Sequence, residues 1–183
     1  MKFDPYGTGV LDKAVHDRLV ADMDRFARDA NIQKRWIWTP LAETCGADEI
    51  DWVRRFKFHT AEGSAGLCYV GKSPAFDMET RMAAIAGALT RNFIFARLMT
   101  LHELMESVND GDIPDMSCLL VPNFFVDKGQ PTWRTASLLD VLIARHTAGL
   151  QTVLYSADLI AMGKEYGNGL TRHIEHLYRT LPV

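Results

Sequence analysis

Apolar residues follow two different spacings over the last two thirds of the chain. Short apolar runs bounded by glycine or polar turns predict four strands: GLCYVG (66–71), FIFARLMT (93–100), CLLVPNFF (118–125) and LQTVLYSA (150–157). Segments with apolar residues every three or four positions predict helices over 77–92, 101–110, 131–149, 158–167 and 169–181. Repeated alternation of strands and helices predicts a three-layer α/β fold, with a parallel sheet covered by helices on both faces.

The first third of the chain has only helical spacing. It predicts one helix from about Val10 to Ala30, an aromatic and basic connector that ends at Pro40, and a second helix over 47–59. We place a boundary at the turn Ala61–Ser64. This division gives a short helical N-terminal extension over 1–60 and an α/β domain over 61–183.

Composition narrows the class of protein. The 183 residues include 20 basic and 23 acidic side chains, so the net charge of −3 excludes coating of nucleic acid by bulk charge and leaves room for a local basic patch. A hydrophobic fraction of 48% excludes a disordered chain. The longest apolar stretch is too short to span a bilayer, and the three cysteines form no CxxC pair. We therefore expect a cytoplasmic protein with reduced thiols and no membrane contact.

Gly66 to Ser73 reads GLCYVGKS and satisfies the phosphate-loop pattern G-x-x-x-x-G-K-S. That pattern works when a strand precedes the first glycine and a flexible loop presents backbone N–H groups to phosphate oxygens. Here the residues between the glycines are strand formers, and a turn precedes them. Two interpretations stay open: an active ATPase that uses Gly66 to Ser73, and a coincidental match.

The order of elements, together with LLDVLIARHTAGLQTVLYSADL and the later YGNGLTRHIEHLY, resembles the AAA+ domain of bacterial and phage DNA helicase loaders and their DnaA-related cousins. The resemblance covers roughly Asp51 to Leu181 and implies a P-loop NTPase-like fold. In that register the phosphate loop would begin at Gly71, which makes Gly71, Lys72 and Ser73 a vestigial nucleotide site.

The same resemblance implies that most of the family's ATPase chemistry is missing. Asp77 stands near the place of the loop lysine. Pro122-Asn123 replaces the acidic pair that holds Mg²⁺ and orients the attacking water, and Ala157 replaces the sensor asparagine. Arg172 matches the arginine that reaches a neighbouring subunit's nucleotide. We therefore expect no catalytic residues, no metal and no required cofactor, with ATP as the one candidate ligand.

Cations and aromatic residues are interleaved on both sides of Pro40. The residues concerned are Lys34, Arg35, Trp36, Trp38, Arg54, Arg55 and Lys57. Such a set suits single-stranded DNA or a protein partner, because bases stack on aromatic rings and phosphates pair with cations. The alternative is that the tryptophans pack the extension onto the domain while the charges face water. His173 and His176 form an H-x-x-H pair without a third ligand, so we expect a solvated helix face there.

These observations predict a DNA replication accessory protein, an adaptor or inhibitor related to helicase loaders, that does not hydrolyse ATP itself. Its expected partners are a replicative helicase, an initiator or another AAA+ protein. Single-stranded DNA and a second copy of the chain are further candidates. The competing hypotheses are an active loader ATPase and a homo-oligomeric scaffold without nucleotide chemistry.

Overall fold

The computed structural model describes residues 12–125 and 132–183. Five strands form one sheet: β1 Gly66–Val70, β2 Ala96–Leu98, β3 Cys118–Val121, β4 Gln151–Ser156 and β5 Tyr178–Pro182. Their order in the sheet is β2-β3-β4-β1-β5, and every neighbouring pair is parallel. The predicted parallel α/β sheet is confirmed, with one more strand than the sequence pattern indicated.

Ten α-helices and one 3₁₀ helix surround the sheet in the described ranges. The helices are α1 Lys13–Ala21, α2 Met23–Asp29, α3 Arg35–Trp38, α4 Ala47–Arg54, α5 Phe56–His59, α6 Ala75–Arg91, α7 Leu101–Asn109, α8 Thr132–Thr147, α9 Leu159–Tyr166 and α10 Asn168–Leu177. The 3₁₀ helix spans Leu41–Glu43. None of these helices is both long enough and apolar enough to cross a membrane.

Each face of the sheet packs against its own set of helices. Tyr69, Leu120 and Val153 lie in a core shared with α6 and α4. Their chain neighbours Cys68 and Leu154 lie in the opposite core, with α7 to α10. Successive strand residues point to opposite faces, and both faces are buried here. This explains why the strands have continuous apolar runs.

The long helices predicted for the first third are interrupted. The prediction of one helix from Val10 to Ala30 is wrong in the described part, because α1 ends at Ala21 and α2 begins at Met23. Residues 10 and 11 lie outside the described residues. The prediction of one helix over 47–59 is wrong in the same way, since the chain leaves helical geometry at Arg55, with φ −93° and ψ 9°. The connector also contains the short helix α3.

Packing is continuous across the boundary that we predict at residue 60. Trp52 and Phe56 belong to the core that also contains α6 and β1. Glu49 is 4% exposed, caps α4 at the Gly46 N–H (2.7 Å) and accepts a hydrogen bond from Arg81 on α6 at 2.8 Å. A buried carboxylate needs such partners to offset its lost hydration. The region from α4 to α5 is thereby fixed to the sheet.

The last helix is shorter than predicted. We expect a helix through Leu181, but α10 ends at Leu177 and the next residues form β5 beside β1. Arg179 on β5 pairs with Asp48 and with Asp51, the latter at 3.3 Å. Strand β5 thus forms one edge of the sheet, and its Arg179 links this edge to α4.

Candidate functional site

The loop between β1 and α6 lies at the carboxyl edge of the sheet, where ligands bind in open α/β folds. It consists of four residues, Gly71 to Pro74, before α6 begins at Ala75. Lys72 is exposed, whereas Gly71 and Ser73 are partly buried. The vestigial nucleotide residues predicted from the sequence therefore share one short loop at the expected edge.

The backbone of this loop already has hydrogen-bond partners within the chain. The Gly71 N–H donates to the Ser156 carbonyl at 3.2 Å. The Ser73 N–H donates to the Tyr155 hydroxyl at 3.1 Å, and that hydroxyl donates back to the Ser73 carbonyl at 3.1 Å. Pro74 has no N–H. Phosphate binding relies on free backbone N–H groups, and two of the three N–H groups of this loop already have partners within the chain.

The glycines of the GLCYVGKS match have structural reasons of their own. Gly66 to Val70 form β1, paired with β4 and β5 on either side. A Cβ at Gly66 would lie 1.8 Å from the Thr152 carbonyl oxygen, and one at Gly71 would lie 2.3 Å from the Val183 carbonyl oxygen. Side chains are excluded at both positions by neighbouring backbone. The residues between the two glycines are strand rather than loop.

The remaining positions at this edge are neutral or acidic. Pro122 is buried and Asn123 partly buried directly after β3. The Ser156 hydroxyl at the end of β4 is buried and has no hydrogen-bond partner among the described residues. Asp77 is exposed in the first turn of α6, one residue after Phe76, which is 72% exposed. A carboxylate and an exposed phenyl ring at this helix start do not favour a phosphate.

Arg172 lies on the exposed side of α10. The buried residues of this helix are Leu170 and Ile174, as its apolar spacing predicts. The neighbouring Thr171 hydroxyl donates to the Leu159 carbonyl at 3.5 Å, in the first turn of α9, which follows the carboxyl end of β4. The arginine therefore extends from a helix turn beside the carboxyl edge, outward from the domain.

The cations around α3 are held locally. Lys34 pairs with Asp24 on α2. The Arg35 guanidinium lies 4.7 Å from the centre of the Trp36 ring, which packs against the core. The Trp38 indole N–H donates to the Met23 sulfur at 2.8 Å. Trp36 thus packs α3 onto the core, whereas Trp38 contacts the preceding helices α1 and α2.

The cations after Pro40 are arranged differently. Arg55 pairs with Glu62, whereas Arg54 and Lys57 line a groove between α4–α5 and the end of α6. Lys34, Arg35 and Arg55 thus have partners close by, whereas Arg54 and Lys57 line the groove. Arg91, which the sequence pattern did not single out, lies in the same groove.

Several other candidates are structural. Burial raises the pKa of Cys68 and of Cys118 to about 12, so neither is a ready nucleophile. His173 is partly buried rather than solvated, and its ring lies near His146 and Tyr178, with centroids 6.0 and 5.9 Å away. Within residues 12–125 and 132–183, no group of three or more His, Cys, Asp or Glu side chains could hold a metal ion.

The sheet order and the position of the β1–α6 loop define a P-loop NTPase-like α/β protein. The chain is similar to a solved structure described as "Crystal Structure of the DnaI", with a TM-score of 0.58 and 17% sequence identity. The match covers 83% of this chain and 91% of that one. No protein-family model matches the chain, and no curated protein sequence does. At this identity the similarity concerns the fold.

Proposed function

We propose that this protein is a DNA replication accessory factor, an adaptor or inhibitor related to helicase loaders, that binds a replicative helicase or an initiator and does not hydrolyse ATP. The fold shared with DnaI supports the link to helicase loading. The observation that supports the absence of ATP hydrolysis is the Tyr155–Ser73 pair of hydrogen bonds, which takes up the Ser73 N–H in the loop that would hold phosphate.

Arg172 is the residue that we propose to act on the partner. It extends outward from α10, and residues 12–125 and 132–183 give it no ion-pair partner. A planar guanidinium can bind two phosphate oxygens at once. Placed against the nucleotide of a neighbouring AAA+ subunit, it would stabilise the association or change the neighbour's hydrolysis rate.

The test measures association of the full chain with a hexameric replicative helicase loaded with ATP. Arg172→Ala should weaken the association or alter the helicase's hydrolysis rate, while the melting temperature stays nearly unchanged, since exposed substitutions cost within about 0.5 kcal/mol. Arg28→Ala, an exposed arginine on α2, is the matched control. If wild type does not associate with helicase or initiator, the proposal is wrong. If wild type associates and Arg172→Ala behaves as wild type in both measurements, the role of this arginine is wrong.

A further inference from the structure

A groove of about 720 Å³ runs between two helical walls on one side of the molecule. One wall consists of Ile50, Val53 and Lys57, which lie three and four residues apart along α4 and α5. The other wall consists of Ala88 and Arg91 on α6. Further residues that complete the lining are Pro40, Leu41, Ala42, Arg54, Phe56, Phe58, Leu89, Asn92 and Ile94. Most of the lining is therefore apolar.

The charges in the groove all have one sign. Arg54, Lys57 and Arg91 line it, and its lining contains no carboxylate. Arg91 donates to the Ile37 carbonyl at 3.2 Å. Because this acceptor is neutral, it does not cancel the positive charge of Arg91. Arg54 and Lys57 form no ion pair with the described residues. This is a local excess of three positive charges on a chain whose net charge is −3.

We infer that the groove binds an amphipathic helical segment of a partner protein, with apolar side chains on one face and acidic side chains beside them. Apolar anchors at helical spacing would enter between the two walls, as in helix-in-groove recognition. Carboxylates on the flank of that helix would pair with Arg54, Lys57 and Arg91. The inference rests on the partner-binding role proposed above, and it specifies the chemistry of the partner segment that contacts this chain.

Single-stranded DNA would require aromatic platforms beside the cations. The tryptophans of the cationic segment lie elsewhere, because Trp36 packs on the core and Trp38 is bonded to Met23. In the groove, Phe56 is buried and Phe58 is the exposed ring, at 62%. The lining therefore matches aliphatic side chains of a peptide better than a row of bases.

The experiment uses the full chain to select binders from a phage-displayed library of random peptides. Each peptide is long enough for about four helical turns. Enriched peptides are synthesised with a fluorescent label, and their affinity is measured by anisotropy. The groove variants are Arg54→Glu with Lys57→Glu on one wall, and Ala42→Trp, an exposed position on the rim. Lys164→Glu on α9, a single charge reversal outside the groove, is the control. Labelled oligothymidine is measured beside the peptides, and thermal unfolding checks that each variant folds.

The expected result is enrichment of peptides with Asp or Glu next to apolar residues three or four apart. Both groove variants should weaken their binding by about tenfold or more, while Lys164→Glu stays within about twofold. If the charge variant does not fold, Ala42→Trp carries the test alone. No enrichment, or enriched peptides that bind the groove variants equally well, would overturn the inference. Oligothymidine binding with the same variant dependence would overturn it in favour of nucleic acid.

Failure of this inference can be separated from failure of the proposed function. The peptide selection uses no helicase. If no peptide is enriched, the groove inference fails, and the association with helicase that Arg172→Ala tests is unaffected. Conversely, if the chain binds acidic helical peptides in the groove but binds no helicase or initiator, the groove inference is supported and the proposed replication role is wrong.

Discussion

At the scale of single residues, the buried Arg145 has the most interactions to lose. Its side chain on α8 is fully buried and donates to the Thr152 hydroxyl at 3.0 Å and to the Gln151 carbonyl at 2.7 Å. It also donates to the Met116 carbonyl at 3.1 Å and to the Pro114 carbonyl. These acceptors are neutral, and burial lowers the pKa of Arg145. One guanidinium thus joins α8, β4 and the segment before β3.

Arg145→Met should lower the free energy of unfolding by about 3 kcal/mol or more, because buried carbonyls left without donors cost about 1–3 kcal/mol each. Chemical denaturation measures the change. Arg172→Met, which replaces an exposed arginine, should change stability by less than about 0.5 kcal/mol. Equal effects of the two substitutions would show that the Arg145 bonds are not needed for the fold.

His173 makes the stability of the protein depend on pH. Its Nε2 is buried and has no hydrogen-bond partner among the described residues. Burial, and next the nearby His146, lower the pKa of His173 below its ordinary value of 6.5. The unfolded chain therefore binds this proton more readily than the folded chain does. Stability must then fall as the pH drops through about 6.5 towards the folded pKa.

Wild type should lose more stability between about pH 7.5 and pH 5 than His173→Gln, in which this titration is absent. Denaturation at several pH values measures the difference. His176→Gln removes an exposed histidine from the same helix and should keep the wild-type pH dependence. Parallel curves for wild type and His173→Gln would contradict the assignment.

At the scale of elements, α3 is held against α6 at a glycine. A Cβ at Gly87 would lie 2.1 Å from the carbonyl oxygen of Trp36 and 2.4 Å from its carbonyl carbon. Arg91, one turn further along α6, donates to the Ile37 carbonyl at 3.2 Å. The crossing therefore depends on close contact between backbone atoms, and it sets the position of the connector that leads to the groove.

Gly87→Ala should lower stability by about 1–3 kcal/mol, since the overlap with Trp36 outweighs the gain of about 1 kcal/mol in helix propensity. Gly169→Ala in α10 is the control, because its Cβ would meet only the movable end of Leu139, at 3.2 Å. That variant should keep the wild-type stability or gain up to about 1 kcal/mol from helix propensity. A neutral or stabilised Gly87→Ala would show that α3 can move away from α6 at little cost.

Elements buried on both faces could be predicted from the sequence, and marginal ones could not. Strands β1 and β3 are continuous apolar runs, and β4 has the apolar run Val153–Tyr155 at its centre, so their pattern predicts strand. Strand β5 has exposed Thr180 and Pro182, and Leu181 continues the helical spacing of Ile174 and Leu177. The pattern therefore predicts helix where an edge strand forms. The break between α4 and α5 at Arg55 does not disturb the helical spacing of the apolar residues, so the sequence pattern does not reveal this break.

The candidate site could be predicted in position but not in contacts. The loop at Gly71 follows from the strand before it, and the outward direction of Arg172 follows from helical periodicity. Tyr155 lies inside an apolar strand run and has no pattern that indicates its bonds to Ser73. The ion pairs of Lys34 and Arg55 depend on chain folding over Asp24 and Glu62. Spacing alone therefore could not indicate which of these cations have partners within the chain.

At the scale of the whole molecule, the sheet has the strand order of a P-loop NTPase-like fold, and the loop at its carboxyl edge is bonded to the neighbouring strand β4. Gly71 and Ser73 donate to Ser156 and Tyr155. The order β2-β3-β4-β1-β5 places β4 between β1 and β3, so a tyrosine near the end of β4 can reach the loop after β1. Two of the three backbone N–H groups in the Gly71–Pro74 loop are therefore taken up within the chain, which agrees with the proposed absence of ATP hydrolysis.

With Mg–ATP, the full chain should release phosphate at the background rate, and Lys72→Ala should not change that rate. Asp77 in the first turn of α6 brings a negative charge near the place where phosphoryl transfer needs a lysine, and Asn123 after β3 lacks the carboxylate that would hold Mg²⁺. Tyr155→Phe frees the Ser73 N–H and should cost about 1 kcal/mol of stability, yet hydrolysis should stay at background because Asp77 remains. An active loader ATPase measured in the same phosphate-release assay is the positive control. A turnover that disappears in Lys72→Ala would show that Gly66 to Ser73 work as a phosphate loop. In that case β1 would have to leave the sheet so that the loop could form.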